Sequence, residues 1–125
     1  MFKITNTDKA PAAIGPYSQA ISANGMLFAS GQVPIDPATG NLSGSTVAQQ
    51  AEQSCKNVGE ILKASGLTFD DVIKTTCFLA DIKDFAEFNA VYARYFTSKP
   101  ARSCVAVKDI PKGALCEIEI IAVTK

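Results

Sequence analysis

The run LCEIEIIAV, residues 115–123, constrains the fold more than any other stretch of the chain. Side chains of a strand alternate between two faces. Cys116, Ile118, Ile120 and Ala122 therefore share one face, and Leu115, Glu117, Glu119, Ile121 and Val123 share the other. Both faces carry aliphatic residues. The chain offers only two helical patterns, enough to cover one face of a sheet. An uncovered apolar face marks an interaction surface, so the pattern predicts that sheets of several subunits pack together. The competing reading is a scatter of surface aliphatics, which ordinary proteins tolerate.

The remaining elements follow from local signals. FKIT at residues 2–5 reads as a short strand, and NTDKAPAAIGPYS as an ordered loop. Asn24-Gly25 between two apolar runs predicts a tight hairpin. GQVPIDPATGNLSGS is a long Pro- and Gly-punctuated loop of the kind that often carries function. Thr46 with Gln49 forms a capping box, and Gly66 is a natural stop. Between them Ala48, Ala51, Cys55, Val58 and Leu62 recur at helical spacing, and Gly59 permits close packing. DVIKTTCFLA reads as a strand. DFAEFNAVYARYF reads as a second helix, with Asp84 and Glu87 as its capping pair and Phe85, Phe88, Tyr92 and Tyr95 or Phe96 as its apolar side. Pro100 ends anything helical. RSCVAV and LCEIEIIAV are the last two strands. The fold class predicted is α+β, a mixed sheet with both helices on one face, as a single domain over residues 1–125.

Composition narrows the function. Twelve basic and twelve acidic residues cancel, which gives no electrostatic footprint for nucleic acid or an anionic membrane. No stretch approaches the roughly 20 apolar residues of a membrane span, and the N-terminus resembles no targeting peptide, so a cytoplasmic location is expected. Histidine is absent, which removes the commonest metal ligand and the usual general base. The four cysteines, Cys55, Cys77, Cys104 and Cys116, form no C-x-x-C pair and sit in apolar patterns. They read as small buried hydrophobes, with no metal site.

Chemistry concentrates near the C-terminus. Arg102 is one of two arginines, and it opens a strand in the run PARSCVAV. Its planar fork suits a carboxylate in a way that lysine cannot match. If the last two strands pair, Arg102 and Glu117 surround one pocket, with backbone N–H groups near Cys104 as further donors. Alternatively, Arg102 forms a plain ion pair with Glu117 or Glu119. Tyr17, in IGPYSQA, either walls a pocket or fills the core. Ser30-Gly31 either lets backbone approach a ligand or makes a plain turn. Asn89, mid-helix among apolar residues, either reaches a site or lies in solvent.

APAAIGPYSQA, FASGQVPIDPATG, VIKTTCFLADIKDFAEFN, YARYF and PARSCVAV…PKGALCEIEIIAV together resemble the Rid family, closest to its RidA subgroup of reactive intermediate deaminases. The resemblance spans essentially the whole chain, and PARS followed by EIE is its most specific part. It implies a chorismate-mutase-like subunit assembled as a homotrimer, with sites in clefts between subunits. It implies hydrolysis of 2-aminoacrylate/2-iminopropanoate and 2-iminobutanoate to 2-oxo acids and ammonia, without cofactor or metal. By position, Arg102 binds the substrate carboxylate and Cys104 lends mainly its backbone. Glu117 positions or activates water, and Tyr17, Ser30, Gly31 and Asn89 match pocket positions. YFTSKPARS is shorter than the same connection in many relatives, which bears on the rim of the cleft. Two other functions compete with this one. One is a non-enzymatic carboxylate-metabolite sensor or holdase chaperone. The other is an RNA-directed translation inhibitor or ribonuclease, which zero net charge and the lack of histidine disfavour.

Overall fold

The computed structural model describes residues 1–125. Six strands and two α-helices follow in the order β1 (Lys3–Thr5), β2 (Ala20–Ala23), β3 (Met26–Gln32), α1 (Val47–Ala64), β4 (Val72–Leu79), α2 (Phe85–Tyr95), β5 (Ala101–Ala106) and β6 (Cys116–Val123). One mixed sheet has the strand order β1-β2-β3-β6-β4-β5, and only β4 and β5 run parallel. The hairpin turn sits at Asn24-Gly25, with φ of 51° and 76°. Positive φ at both central residues is the twist that a two-residue hairpin requires.

β6 lies inside the sheet, between β3 and β4. On the helix side Cys116, Ile118, Ile120 and Ala122 are buried, as their alternation predicts. α1 lies over them with Ala51, Cys55, Val58, Ile61 and Leu62. Its capping box at Thr46 and Gln49 forms as predicted, and Gly66 follows its end with φ of 75°. The buried side of α1 is wider than the apolar stripe: Gln50, Ser54 and Asn57 are buried too. Asn57 donates to the carbonyls of Val33 and Ile35, and Gln50 accepts from the Leu115 N–H, so both amides hold loops. Phe69 packs so close to Gly59 that an added Cβ would lie 3.1 Å from its ring.

The condition for Arg102 and Glu117 to share a pocket within one chain is not met, and one expectation is corrected. β5 and β6 do not pair: β4 lies between them, antiparallel to β6 and parallel to β5. β4, α2 and β5 form a short crossover unit, and such a unit sets its two strands side by side and parallel. Asp84 does not cap α2. A 3-10 turn over Ile82–Asp84 runs directly into the helix, so Asp84 already has helical dihedrals and Asp81 caps the turn instead. Glu87 accepts a hydrogen bond from the Ala48 N–H at the start of α1.

The other face of the sheet has no helix. Ile4, Ile21, Phe28 and Ile121 align across β1, β2, β3 and β6 through successive register pairs. Phe28, Val105 and Val123 are each about 45% exposed. Nothing within the chain covers this apolar row.

Candidate active site

Two groups of candidate residues form, on opposite faces of the sheet. The first surrounds Arg102. Arg102 pairs with Thr75 across β4 and β5, and Thr75 is buried beneath α2. The guanidinium therefore rises on the helix side. It sits 4.7 Å from the centre of the Tyr92 ring and 5.5 Å from that of Phe85. A cation held over aromatic faces is stabilised by the ring quadrupole. Arg102 Nη1 donates to Asn89 Oδ1 at 2.7 Å. Tyr92 is fixed in turn by a 2.7 Å hydrogen bond between its hydroxyl and Thr75 Oγ1. No carboxylate pairs with Arg102: the ion pairs of the chain are Arg94–Glu52 and Lys125–Asp71. The plain ion pair that the sequence left open is therefore not formed.

A cavity of about 300 Å³ opens beside this guanidinium, lined among others by Asn89, Tyr92, Pro100 and Arg102. Asn89 earns its place mid-helix by orienting the arginine. Phe85, on the predicted apolar side of α2, is 39% exposed and serves the arginine rather than the core. Cys104, two residues on, is half-buried on the same face. Burial pushes its thiol up, against a downward pull from Arg102, so it stays protonated at neutral pH. A protonated thiol is a poor nucleophile.

The second group lies on the open face. A cleft there is lined by Tyr17, Ser18, Ile21, Phe28, Ser30 and Glu119, with Pro16 and Ala29. Tyr17 is 53% exposed, so it is not a core residue. Its loop is tied down by Gln19, which sequence reasoning passed over. Gln19 accepts from the Thr7 N–H and donates to the carbonyls of Thr7 and Pro11. No periodicity signals such a residue, because its partners are loop backbone. Ser30 is held by its Oγ donating to Ser18 O at 2.6 Å and its N–H donating to Gln19 O at 2.9 Å.

Glu117 stands on this open face, with its carboxylate against Gly31. Burial raises its pKa above the usual carboxylate range, and the neighbouring charge of Glu119 raises it further. A carboxylate kept protonatable in this way is suited to proton transfer. Glu117 pairs with Phe78, whereas Arg102 pairs with Thr75, three residues back along β4. That is roughly 10 Å along the sheet and about 10 Å across it, with the side chains on opposite faces. The chain thus brings Arg102, Asn89 and Cys104 together, and separately it lines the open cleft with Tyr17, Ser30 and Glu119 and sets Glu117 against Gly31, the residue after Ser30. It does not bring the two groups into one pocket.

The family model described as Endoribonuclease L-PSP matches residues 7–124. A 2-iminobutanoate/2-iminopropanoate deaminase of Bos taurus is 52% identical, over 97% of this chain and 89% of its own. A Lactococcus lactis protein named as a regulator, AldR, is also 52% identical, over 98% of both chains. The crystal structure of Escherichia coli TdcF with bound serine superposes with a TM-score of 0.93 at 45% identity, covering 98% of this chain and 99% of that one. With nearly the whole chain matched by the family model and by close relatives, the protein belongs to the Rid family, also described as endoribonuclease L-PSP, and is RidA-like.

Proposed function

We propose that the protein is a 2-iminobutanoate/2-iminopropanoate deaminase whose working unit is a homotrimer. The observation that carries this reading is the Arg102 cradle: a guanidinium oriented by Asn89 and two aromatic rings, beside a cavity, with no carboxylate of its own. Relatives at about half identity over nearly full length bear that activity as their name. The uncovered apolar row and the two separated residue groups support assembly. Association through the open face sets the Glu117 side of one copy beside the Arg102 side of another. Each cleft then takes its anion anchor from one subunit and its carboxylate from the next.

In such a cleft Arg102 holds the carboxylate of the 2-imino acid through two parallel hydrogen bonds, worth about 1.5–3 kcal/mol. Backbone N–H groups near Cys104 add donors to the same anion. The imine carbon is already electrophilic, so the chemistry asks only for a placed water and a proton carrier. Glu117 takes a proton from the water as its oxygen bonds to the carbon of the protonated imine, and the C=N electron pair moves onto nitrogen, leaving a neutral amine. The carbinolamine then collapses: Glu117 returns its proton to the nitrogen, the C–N bond breaks with its electron pair leaving on nitrogen, and the hydroxyl proton passes to the Glu117 carboxylate and on to solvent as the C–OH becomes a carbonyl. Ammonia and a 2-oxo acid leave. Tyr17 and Ser30 wall the cleft.

The test couples the protein to a threonine dehydratase acting on serine or threonine, with semicarbazide trapping the released imine. Wild type suppresses the semicarbazone of the imine and Arg102→Ala does not. Equal semicarbazone with and without folded wild type rejects the deaminase reading. The name of the L. lactis relative favours a second reading, in which the same cradle binds a carboxylate metabolite without turnover. Under it, Glu117→Gln leaves carboxylate affinity unchanged and there is no turnover to lose.

A further inference from the structure

Glycine serves most often where φ is positive, and five of the eight glycines here have positive φ. Gly31 is not among them, so its backbone conformation is one that alanine adopts freely. Its reason lies in space. A Cβ built on Gly31 collides with Glu117 Oε2 and comes within 2.7 Å of Cδ and 3.1 Å of Cγ. The carboxylate fills the volume that any other residue's side chain would occupy.

The backbone beneath it is fixed. Between Ala29 and Gln32 the register with β6 shifts: three steps along β3 match two along β6, from Ile120 to Ile118. This is a β-bulge, which re-aims side chains beside functional sites. Ser30 is tied to the segment entering β2 by two bonds, to Ser18 O and Gln19 O. The buried Gln32 amide donates to Ser30 O at 3.1 Å. A bulge tied at three points yields less readily than the end of a glutamate side chain. An alanine at position 31 therefore moves Glu117, not the strand.

We propose that Gly31 is a positioning residue: its missing side chain, presented by the bulge, is the seat that holds the Glu117 carboxylate at the water-attack position. This rests on the role given to Glu117 above, and it assigns Gly31 a task distinct from contact with substrate. The seat also excludes water from one side of the carboxylate, in line with the burial that raises its pKa.

The experiment compares wild type, Gly31→Ala, Glu117→Asp, the double variant Gly31→Ala/Glu117→Asp, and Glu117→Gln. Each is measured for assembled mass, imine hydrolysis against pH, and pyruvate affinity by calorimetry. The Glu117 carboxyl is titrated by ¹³C NMR in wild type and Gly31→Ala. Gly31→Ala keeps its mass and binds pyruvate within about threefold of wild type, but loses about 10–100-fold in kcat, the scale of an ångström's misplacement. Its Glu117 pKa falls as the carboxyl moves toward solvent, and the acid limb of the rate profile follows it to lower pH. Aspartate is one methylene shorter and lacks the Oε atom that collides with the added Cβ, so the step from Glu117→Asp to the double variant costs far less than the step from wild type to Gly31→Ala. Wild-type kcat with an unmoved Glu117 titration in Gly31→Ala overturns the seat. So does a Gly31→Ala loss of the same size in the Glu117→Asp background, which is the mark of a general packing defect. Full activity in Glu117→Gln instead overturns the role of Glu117, and the NMR titration then still reports whether the seat exists.

Discussion

The Arg102 side and the Glu117 side of the protein are built on different terms. Arg102 is complete within one chain. Two rings, an amide and a buried Thr75–Tyr92 pair fix its guanidinium before any partner or ligand arrives. Glu117 lies on a face that nothing in the chain covers, and its neighbours are a bulge at Gly31 and another acid, Glu119. The lesson is a division of labour. A cation that must recognise a carboxylate benefits from preorganisation on rigid elements. A carboxylate that must trade protons benefits from partial desolvation, which the proposed assembly would complete.

The sharpest way to break this comparison is Glu117→Gln. If the open face supplies the proton carrier, kcat falls about 10²–10⁴-fold while pyruvate affinity stays near wild type. Binding and rate falling together would place Glu117 in recognition, and the two sides would no longer differ in kind. Arg102→Lys probes the opposite side. Lysine keeps the charge but loses the fork and the flat surface that stacks on Tyr92. Losing a charge-assisted bond of about 1.5–3 kcal/mol predicts a drop of about 10–100-fold in kcat/KM, with the assembled mass unchanged. Near-normal turnover would show that positive charge alone is enough.

The two sides also differed in how well the sequence announced them. Arg102, Glu117 and the alternation of β6 were legible because strand periodicity and the rarity of arginine are local signals. Their relation was not. Pairing the last two strands looked natural by chain order, yet the crossover from β4 through α2 to β5 puts β5 on the outside. The order strand, helix, strand already contained that answer. Asn89 stood out as an amide among apolar residues, and the structure shows why. Gln19 and Gln32 gave no sign, because their partners are loop and bulge backbone. The false cap at Asp84 came from a 3-10 turn that extends the helix backward by one turn. Gly31 was visible as a candidate for close backbone approach, but the partner that approaches is a side chain from β6.

Desolvation of Glu117 has a consequence for stability with a definite sign. A carboxyl whose folded-state pKa is raised binds its proton more tightly when folded than when unfolded. Its contribution is fully present below the unfolded pKa and is lost as pH rises through the folded value. At neutral pH the charged form therefore weighs against folding, though half-exposure discounts the effect. Glu117→Gln, though slowed in turnover, should raise Tm at pH 7–8, at fixed protein concentration. The gain should vanish near pH 4, where wild type is itself protonated. An equal gain at both pH values would assign the change to packing.

The smallest effect belongs to Cys104, the position where the two sides most nearly share a role. Its thiol is protonated, because burial outweighs the pull of Arg102, and its proposed contribution to the anion site is its backbone. Cys104→Ser preserves that backbone and nearly preserves the volume. It should change kcat/KM by no more than about threefold, within the range of a single weak hydrogen bond. It should also abolish sensitivity to thiol alkylation, if Cys104 is the only cysteine reached, since Cys55, Cys77 and Cys116 are buried. Loss of activity in a folded, fully assembled Cys104→Ser would make the sulfur itself part of the reaction. The Arg102 side would then do more than recognise, and the division of labour between the two faces would have to be redrawn.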